Sequence, residues 1–194
     1  MTGRLGSAAG ILLGLLLIAG AWGVAQLAPE PETLEAPVPV RVEAGDWGIG
    51  RDIAGAAGEE VVVAQRLTDD GREPWNGASE AGVWIAVRAE VQTLRRTGTA
   101  AATLEYAGLL VPASDRPPTA VRLPGTLLRP GIAAGGWFVF EVPAGIPMPD
   151  AVTLRFGRGG DVRLDSVLVT RIDLAAAPRL AELVLDPVVE RARP

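Results

Sequence analysis

In GVWIAVRAEVQTL, residues 82–94, Val83, Ile85, Val87, Ala89 and Val91 alternate with Trp84, Ala86, Arg88, Glu90 and Gln92. A period of two, with one side turning polar toward the C-terminal end, predicts a half-buried strand. The same alternation recurs in AVTLRFG, where Val152, Leu154 and Phe156 oppose Thr153 and Arg155, and in TLEYAG, where Leu104 and Tyr106 oppose Thr103 and Glu105. Further strands are predicted over 40–43, 60–67, 120–123, 136–142 and 166–173, with Gly, Pro and Asp clusters such as PASDRPP, RPGIAAGG and GRGGD between them. Short strands punctuated by turn signals, with no sustained helical period inside the domain, predict a sandwich or barrel.

LLRPGIAAGGWFVFEVP, residues 127–143, holds Trp137, Phe138 and Phe140, three of the nine aromatic side chains. Arg129-Pro130-Gly131 supplies a turn, after which Phe138, Phe140 and Val142 point to one side and Trp137, Val139 and Glu141 to the other. A chain with so few rings gains most by placing them on a central strand, where each buries roughly 150–250 Å². These aromatics are therefore expected in the core.

The hydrophobic pattern of the first thirty residues is different. No charge interrupts the run between Arg4 and Glu30. As a helix, the 21 residues from Ala8 to Ala28 would span roughly 31 Å, about one hydrocarbon core. Arg4 precedes the run and Glu30, Glu32 and Glu35 follow it, a bias that keeps the N-terminus in the cytoplasm and exports the rest. The expected arrangement is a cytoplasmic stub over 1–7, a transmembrane signal-anchor over 8–28, and a single-pass protein of the cell membrane with its C-terminal domain extracytoplasmic. Cleavage as a signal peptide, after Ala21 or Ala25, is the alternative; both place the body outside. Residues 29–39, rich in Pro and Glu, predict a stiff solvated linker. Residues 40–174 are then one domain, and 175–194 a C-terminal tail. In the tail Leu180, Leu183 and Val184 fall at helical spacing after Pro178, with Pro187 as a stop, so a two-turn helix able to dock on a partner is expected.

Composition narrows the chemistry. The chain has no Cys and no His, and all 18 basic residues are Arg. It therefore cannot supply a Ser-His-Asp triad, a thiolate, a Schiff-base lysine, a P-loop lysine or the usual N/S zinc site. A net charge of −5 with no basic cluster beyond Arg95-Arg96 argues against nucleic acid. The scarcity of Lys and Asn beside abundant Ala, Gly and Arg reads as a GC-rich bacterial coding sequence. Asp69, Asp70, Glu73 and Asn76 crowd one turn, but their spacing matches no calcium loop and a solvated turn is the better reading. Asp115 and Arg116 are expected to pin their loop by an ion pair. No catalytic, cofactor-binding or metal residue is expected. Trp47 in GDWGIG and Trp75 in EPWNG are the candidate contact residues, with Leu180, Leu183 and Val184 of the tail.

The succession LEYAGLLVPASDRPP, LLRPGIAAGGWFVFEVPAG and AVTLRF resembles the telokin-type, immunoglobulin-like domains of membrane-anchored bacterial lipoproteins of unknown function, over residues 85–156. The PG…VFEVP string is its most distinctive part. Two departures stand out: there is no lipobox Cys, so a transmembrane helix would replace the lipid, and RRTGTAA stands where the family has an Asn-x-Gly turn. The resemblance implies an exported, immunoglobulin-like antiparallel β-sandwich and no established catalytic residues. The function expected is a non-catalytic, membrane-anchored interaction module with a protein partner in the envelope, as an accessory to an envelope or transport complex. The alternatives are a small-ligand or glycan binder using exposed Trp, and a carboxylate-dependent hydrolase.

Overall fold

Strands β4 (Gly82–Thr93) and β8 (Ile132–Pro143) lie side by side at the centre of one sheet, and both of their faces are buried along much of their length. The computed structural model describes residues 13–14, 16–23, 36–69, 77–80, 82–160 and 165–193. The remaining strands are β1 (Val38–Arg41), β2 (Gly48–Ile49), β3 (Ile53–Thr68), β5 (Gly98–Tyr106), β6 (Leu109–Pro112), β7 (Leu127–Leu128), β9 (Ala151–Arg158), β10 (Ser166–Asp173), β11 (Arg179–Val184) and β12 (Val189–Ala192). The first sheet has the order β1-β10-β9-β5-β6, with β7 on β5; the second has β11-β3-β4-β8-β12, with β2 on β3. The chain is an all-β, two-sheet sandwich. It is not purely antiparallel as expected, because β1 runs parallel to β10 and β11 parallel to β3.

Between the sheets Ile85, Val87, Ala89 and Val91 of β4 and Phe138, Phe140 and Val142 of β8 meet Leu104 and Tyr106 of β5, Leu154 and Phe156 of β9, and Leu168 and Ile172 of β10. Phe138 and Phe156 sit tilted at 6.4 Å between centroids, joining the two sheets. The turn before β8 is a type II turn: Ile132 N–H donates to Arg129 O, and Gly131 at i+2 has φ +77°. β3 and β4 shift register between Ala57 and Val61, where Gly58 has φ +88°, as a bulge in a long strand requires.

The opposite side chains of β4 and β8 are also buried. Trp84, Ala86, Trp137 and Val139 form a second cluster with Val62, Ala64, Leu67, Val121, Leu183 and Leu185. The cover is local chain: the 113–126 loop brings Val121, and the C-terminal tail brings Leu183 and Leu185. The tail is strand, not the helix expected from the spacing of Leu180, Leu183 and Val184. β11 pairs with β3 over Val63–Thr68, Leu185 N–H donates to Thr68 O, and β12 then pairs with Ile132–Gly135 of β8. The physical reason is that β3 and β8 have free edges and an uncovered apolar face, and two turns of helix are unstable in water. Leu183 and Leu185 point in while Val184 and Asp186 point out, a period-two signal that the helical reading overrode. The sheets thus run past the expected boundary at Leu174 to Ala192, and begin at Val38.

Within the N-terminal unit, residues 13–14 and 16–23 are helical. No helix among the described residues is long and apolar enough to cross a membrane. The rest of the expected 8–28 span lies outside the described residues.

Deleting residues 175–194 removes both strands and two core leucines. The loss should be at least about 3–6 kcal/mol, the worth of burying two Leu side chains. Urea unfolding would show it as a lower midpoint; an unchanged midpoint would mean the tail does not seal the second cluster. A second expectation concerns the β5–β6 hairpin, whose two-residue turn puts Ala107 at φ +48° and Gly108 at φ +82°. Alanine in that region is held at a cost of about 1–2 kcal/mol, part of which glycine's greater unfolded-state freedom offsets. Ala107→Gly should raise stability by about 0.5–1 kcal/mol in the same assay, and a decrease would contradict the strained-turn reading.

Candidate interaction surface

The candidate contact residues fall in different places. Trp47, in the loop before β2, is half-buried, and the Arg193 guanidinium lies over its ring at 3.9 Å from the centroid. Arg193 also pairs with Glu90 of β4 at 3.1 Å, so β12 and the Trp47 loop are clasped together by a cation–π contact and an ion pair. Trp75 lies outside the described residues, as do Asp70, Glu73 and Asn76. Leu183 is inside the second cluster and offers no free surface, whereas Leu180 and Val184 stay exposed along β11. The structure does not gather Trp47 and the tail residues into one site.

Arg116 pins its loop, but through other partners than Asp115. It reaches Glu141 at 2.8 Å and Glu80 at 3.1 Å, and its guanidinium lies over Trp84 at 5.3 Å. The Asp115 carbonyl instead accepts from the Arg122 guanidinium.

The carboxylates that converge are Asp52 and Asp165, which are 2% and 3% exposed. Asp52 Oδ1 accepts the Arg95 N–H at 2.7 Å and Oδ2 accepts the Arg96 Nε–H at 3.1 Å, which fixes the β4–β5 turn. Asp165 Oδ2 accepts from the Arg158 guanidinium at 3.0 Å, and Oδ1 accepts the Ser166 N–H at 2.8 Å. Arg158 lies 3.8 Å from Asp52 as well, and Arg96 lies 3.5 Å from Asp165. Two buried acids and two arginines therefore tie together the start of β3, the β4–β5 turn, the end of β9 and the start of β10. Burial alone would raise the Asp165 carboxyl; the hydrogen bonds from Arg158 and Ser166 and the charges of Arg158 and Arg96 outweigh it and hold the group below the ordinary carboxylate range. A general acid needs its pKa moved the other way. This arrangement suits a strut.

The surface left uncovered is the outer face of the first sheet. Arg41, Val169, Arg155 and Thr103 occupy one row across β1, β10, β9 and β5, with Arg171 and Thr153 in the next row. Arg155 pairs with Glu105 at 2.8 Å. Beside them lies a shallow cleft of about 360 Å³ lined by Pro37, Ala101, Leu110, Phe156 and Val167, with Arg155 and Arg158 at its border. Leu110 is 69% exposed and Leu109, at the hairpin end, 44%. Sequence reasoning passed over this face. Its signal lay in the polar halves of the alternating segments, where Arg41 and Arg171 sit, and in the two leucines directly after the Ala-Gly turn.

The class that this fold defines is an all-β two-sheet sandwich. No protein-family model matches the chain, and no curated protein matches it. Among solved structures, an uncharacterized β-sandwich protein from Clostridium difficile 630 is similar at 15% identity and a TM-score of 0.48, over 75% of this chain and 100% of that one. MPT63, a secreted protein from Mycobacterium tuberculosis, is similar at 15% identity and a TM-score of 0.44, over 70% of this chain and 98% of that one.

The depressed Asp165 pKa sets a pH dependence. The unfolded chain binds that proton more readily, so the contribution is complete above the ordinary carboxylate range and is lost as pH falls through the folded value. Urea midpoints measured from pH 7 down to pH 3 should fall on the acid side, and Asp165→Asn should flatten that fall while lowering the midpoint at pH 7. An unchanged acid slope in the variant would remove Asp165 as its source.

Proposed function

We propose that the chain is a non-catalytic, extracytoplasmic interaction module, held at the membrane by its N-terminal apolar segment, that meets a protein partner on the outer face of the first sheet. One observation carries the choice of face. The second sheet's outer apolar surface is sealed by the chain's own tail and loop, while the first sheet leaves an apolar cleft and Leu110 open to solvent. Exposed apolar surface of this kind, rimmed by polar groups, is typical of contact sites.

The uncharged run from Ala8 to Ala28, flanked by Arg4 and Glu30, supports the tether and the orientation. The resemblance to telokin-type, immunoglobulin-like domains of membrane-anchored bacterial proteins fits the same reading. The non-catalytic part rests on the converging acids, since both are engaged by arginine and one is pushed away from the proton-donating range. A Trp-based glycan platform has less support, because a guanidinium already lies over the described candidate, Trp47.

The test uses the full chain in its native membranes. Carbonate washing should leave it in the membrane fraction, and protease added from the extracytoplasmic side should remove the domain. A photo-reactive side chain at Leu110 or Thr153 should give a protein adduct, while the same group at Leu180 or Val184 should not. Adducts confined to the β11 positions would move the contact to the tail edge, and release of a soluble form by carbonate would overturn the tether.

A further inference from the structure

We infer that the C-terminal tail is an exchangeable strap: residues 175–194 open as a unit while the sandwich stays folded, and close on a second copy of the chain to give a strand-exchanged dimer. The inference does not depend on the contact face proposed above. Its basis is that the molecule has two apolar clusters and the tail seals only one of them. The main core between the sheets is drawn from residues 40–174, with Val188 alone packing against it from the tail. Leu183 and Leu185 belong to the second cluster, and Leu183 is the one buried residue in β11 and β12 together.

The other fastenings are of the kind that open locally. β11 pairs with β3 in parallel, a geometry slightly weaker per residue than the antiparallel one. The ion pairs Arg88–Asp186, Arg129–Glu190 and Arg193–Glu90 all reach water, where each contributes little. A terminal segment with few buried side chains and exposed hydrogen bonds lies at the low end of local stability. Its release bares Trp84, Trp137 and the edges of β3 and β8, a surface that invites a new cover.

The hinge selects that cover. Leu174 and Ala175 N–H groups donate to Asp150 O, and Asp173 Oδ1 accepts from Ala175 and Ala176, so the first alanines belong to the body. Pro178 O already accepts from Val63 of β3. Ala177 therefore joins body to strap, within a bend over 174–177. A residue before proline is driven toward extended backbone, so straightening this bend is easy and carries the strap away from its own β3. The surface built to receive it, with β3 and β8 as edges and the indoles beneath, is then offered by another copy. Reciprocal exchange restores the strand pairing and both buried leucines in each copy, and Leu180 and Val184 still face solvent.

The chain has no cysteine, which makes exchange directly readable. Arg66 and Glu182 are exposed register partners on β3 and β11, and neighbouring strands about 4.8 Å apart are within disulfide reach. Full-length Arg66→Cys and Glu182→Cys variants are mixed in detergent micelles, held in urea below the main unfolding midpoint, diluted and mildly oxidised. Exchange brings the two thiols into register across copies. The heterodimer yield should exceed at least tenfold that of a control mixture of Arg171→Cys with Glu182→Cys, whose thiols meet only by collision. Hydrogen exchange of the Val63, Leu185 and Arg193 amides should share one opening, faster than that of Ile85 and Phe140. A yield no greater than the control overturns the exchange, and tail amides that open only together with Ile85 and Phe140 overturn the strap. Thr68→Cys with Val184→Cys, a second register pair, repeats the mixing so that misfolding of one variant cannot decide the outcome.

Discussion

The fold depends on hiding two indoles that point away from the main core. Trp84 and Trp137 are 0% and 2% exposed, yet they lie on the side of β4 and β8 that a simple two-layer sandwich would turn to water. Their neighbours Ala86 and Val139 are as apolar, so the second sheet needs a cover along this part of its face. The chain provides one from its last twenty residues and from the 113–126 loop. The edge strands follow from this, since a segment that must reach the face also finds the unpaired edges of β3 and β8 on its way. The demand is weaker on the first sheet, whose outward positions mix Arg, Thr and Glu with Val167, Val169 and Leu110 and include no tryptophan. One sheet is closed and the other open because of where the tryptophans fall.

This explains which parts of the fold were legible in the sequence. Gly82–Thr93 announced itself by an alternation that turns polar toward its C-terminal end, Ser166–Asp173 by an apolar run bounded by turn signals, and Pro130-Gly131 announced its turn. The Phe138, Phe140 and Val142 side was identifiable as the core. The polar-looking side was not, because Arg88, Glu90 and Gln92 suggested solvent for the whole face while only that end of it is hydrophilic. The tail failed for a related reason. Its helical spacing and its period-two spacing share Leu183, and local pattern cannot show that a free edge awaits it. The Asp52–Asp165 cluster was out of reach, because only the packing of the sheets brings Asp52, the Arg95-Arg96 turn and the Arg158–Asp165 segment together. Trp47 was singled out as a contact residue, and the guanidinium that lies over its ring, Arg193, comes from the opposite end of the domain sequence.

Arginine does several jobs in a chain with neither Lys nor His. Arg88 lies over Trp137 at 5.2 Å while holding Asp186 at 2.6 Å, Arg116 lies over Trp84 while holding Glu141, and Arg193 lies over Trp47 while holding Glu90. In each case a flat cation covers an indole and pairs with a carboxylate, in two of them from another strand. A lysine could offer the charge, but not the planar stacking and directional donors together. The tail is thereby fastened polar as well as apolar: Asp186 and Arg193 bracket β12, and both reach side chains of β4.

The same argument bears on which surface is left for a partner. Each described tryptophan of the sandwich is engaged by a guanidinium, so the large aromatic anchors that often centre a contact site are consumed internally. What remains on the open sheet is aliphatic and mixed in charge: Leu110 and the cleft beside it, with Arg41, Arg155 and Arg171 interspersed with Glu43, Glu105 and Asp173. Contacts built from one aliphatic anchor and a few exposed charges are modest in strength and sensitive to salt. The proposed apolar tether would change what such a contact needs to achieve. On the proposed reading, a domain confined to a membrane surface would meet a neighbour in the same membrane at high effective concentration, and a weak face would then suffice for pairing.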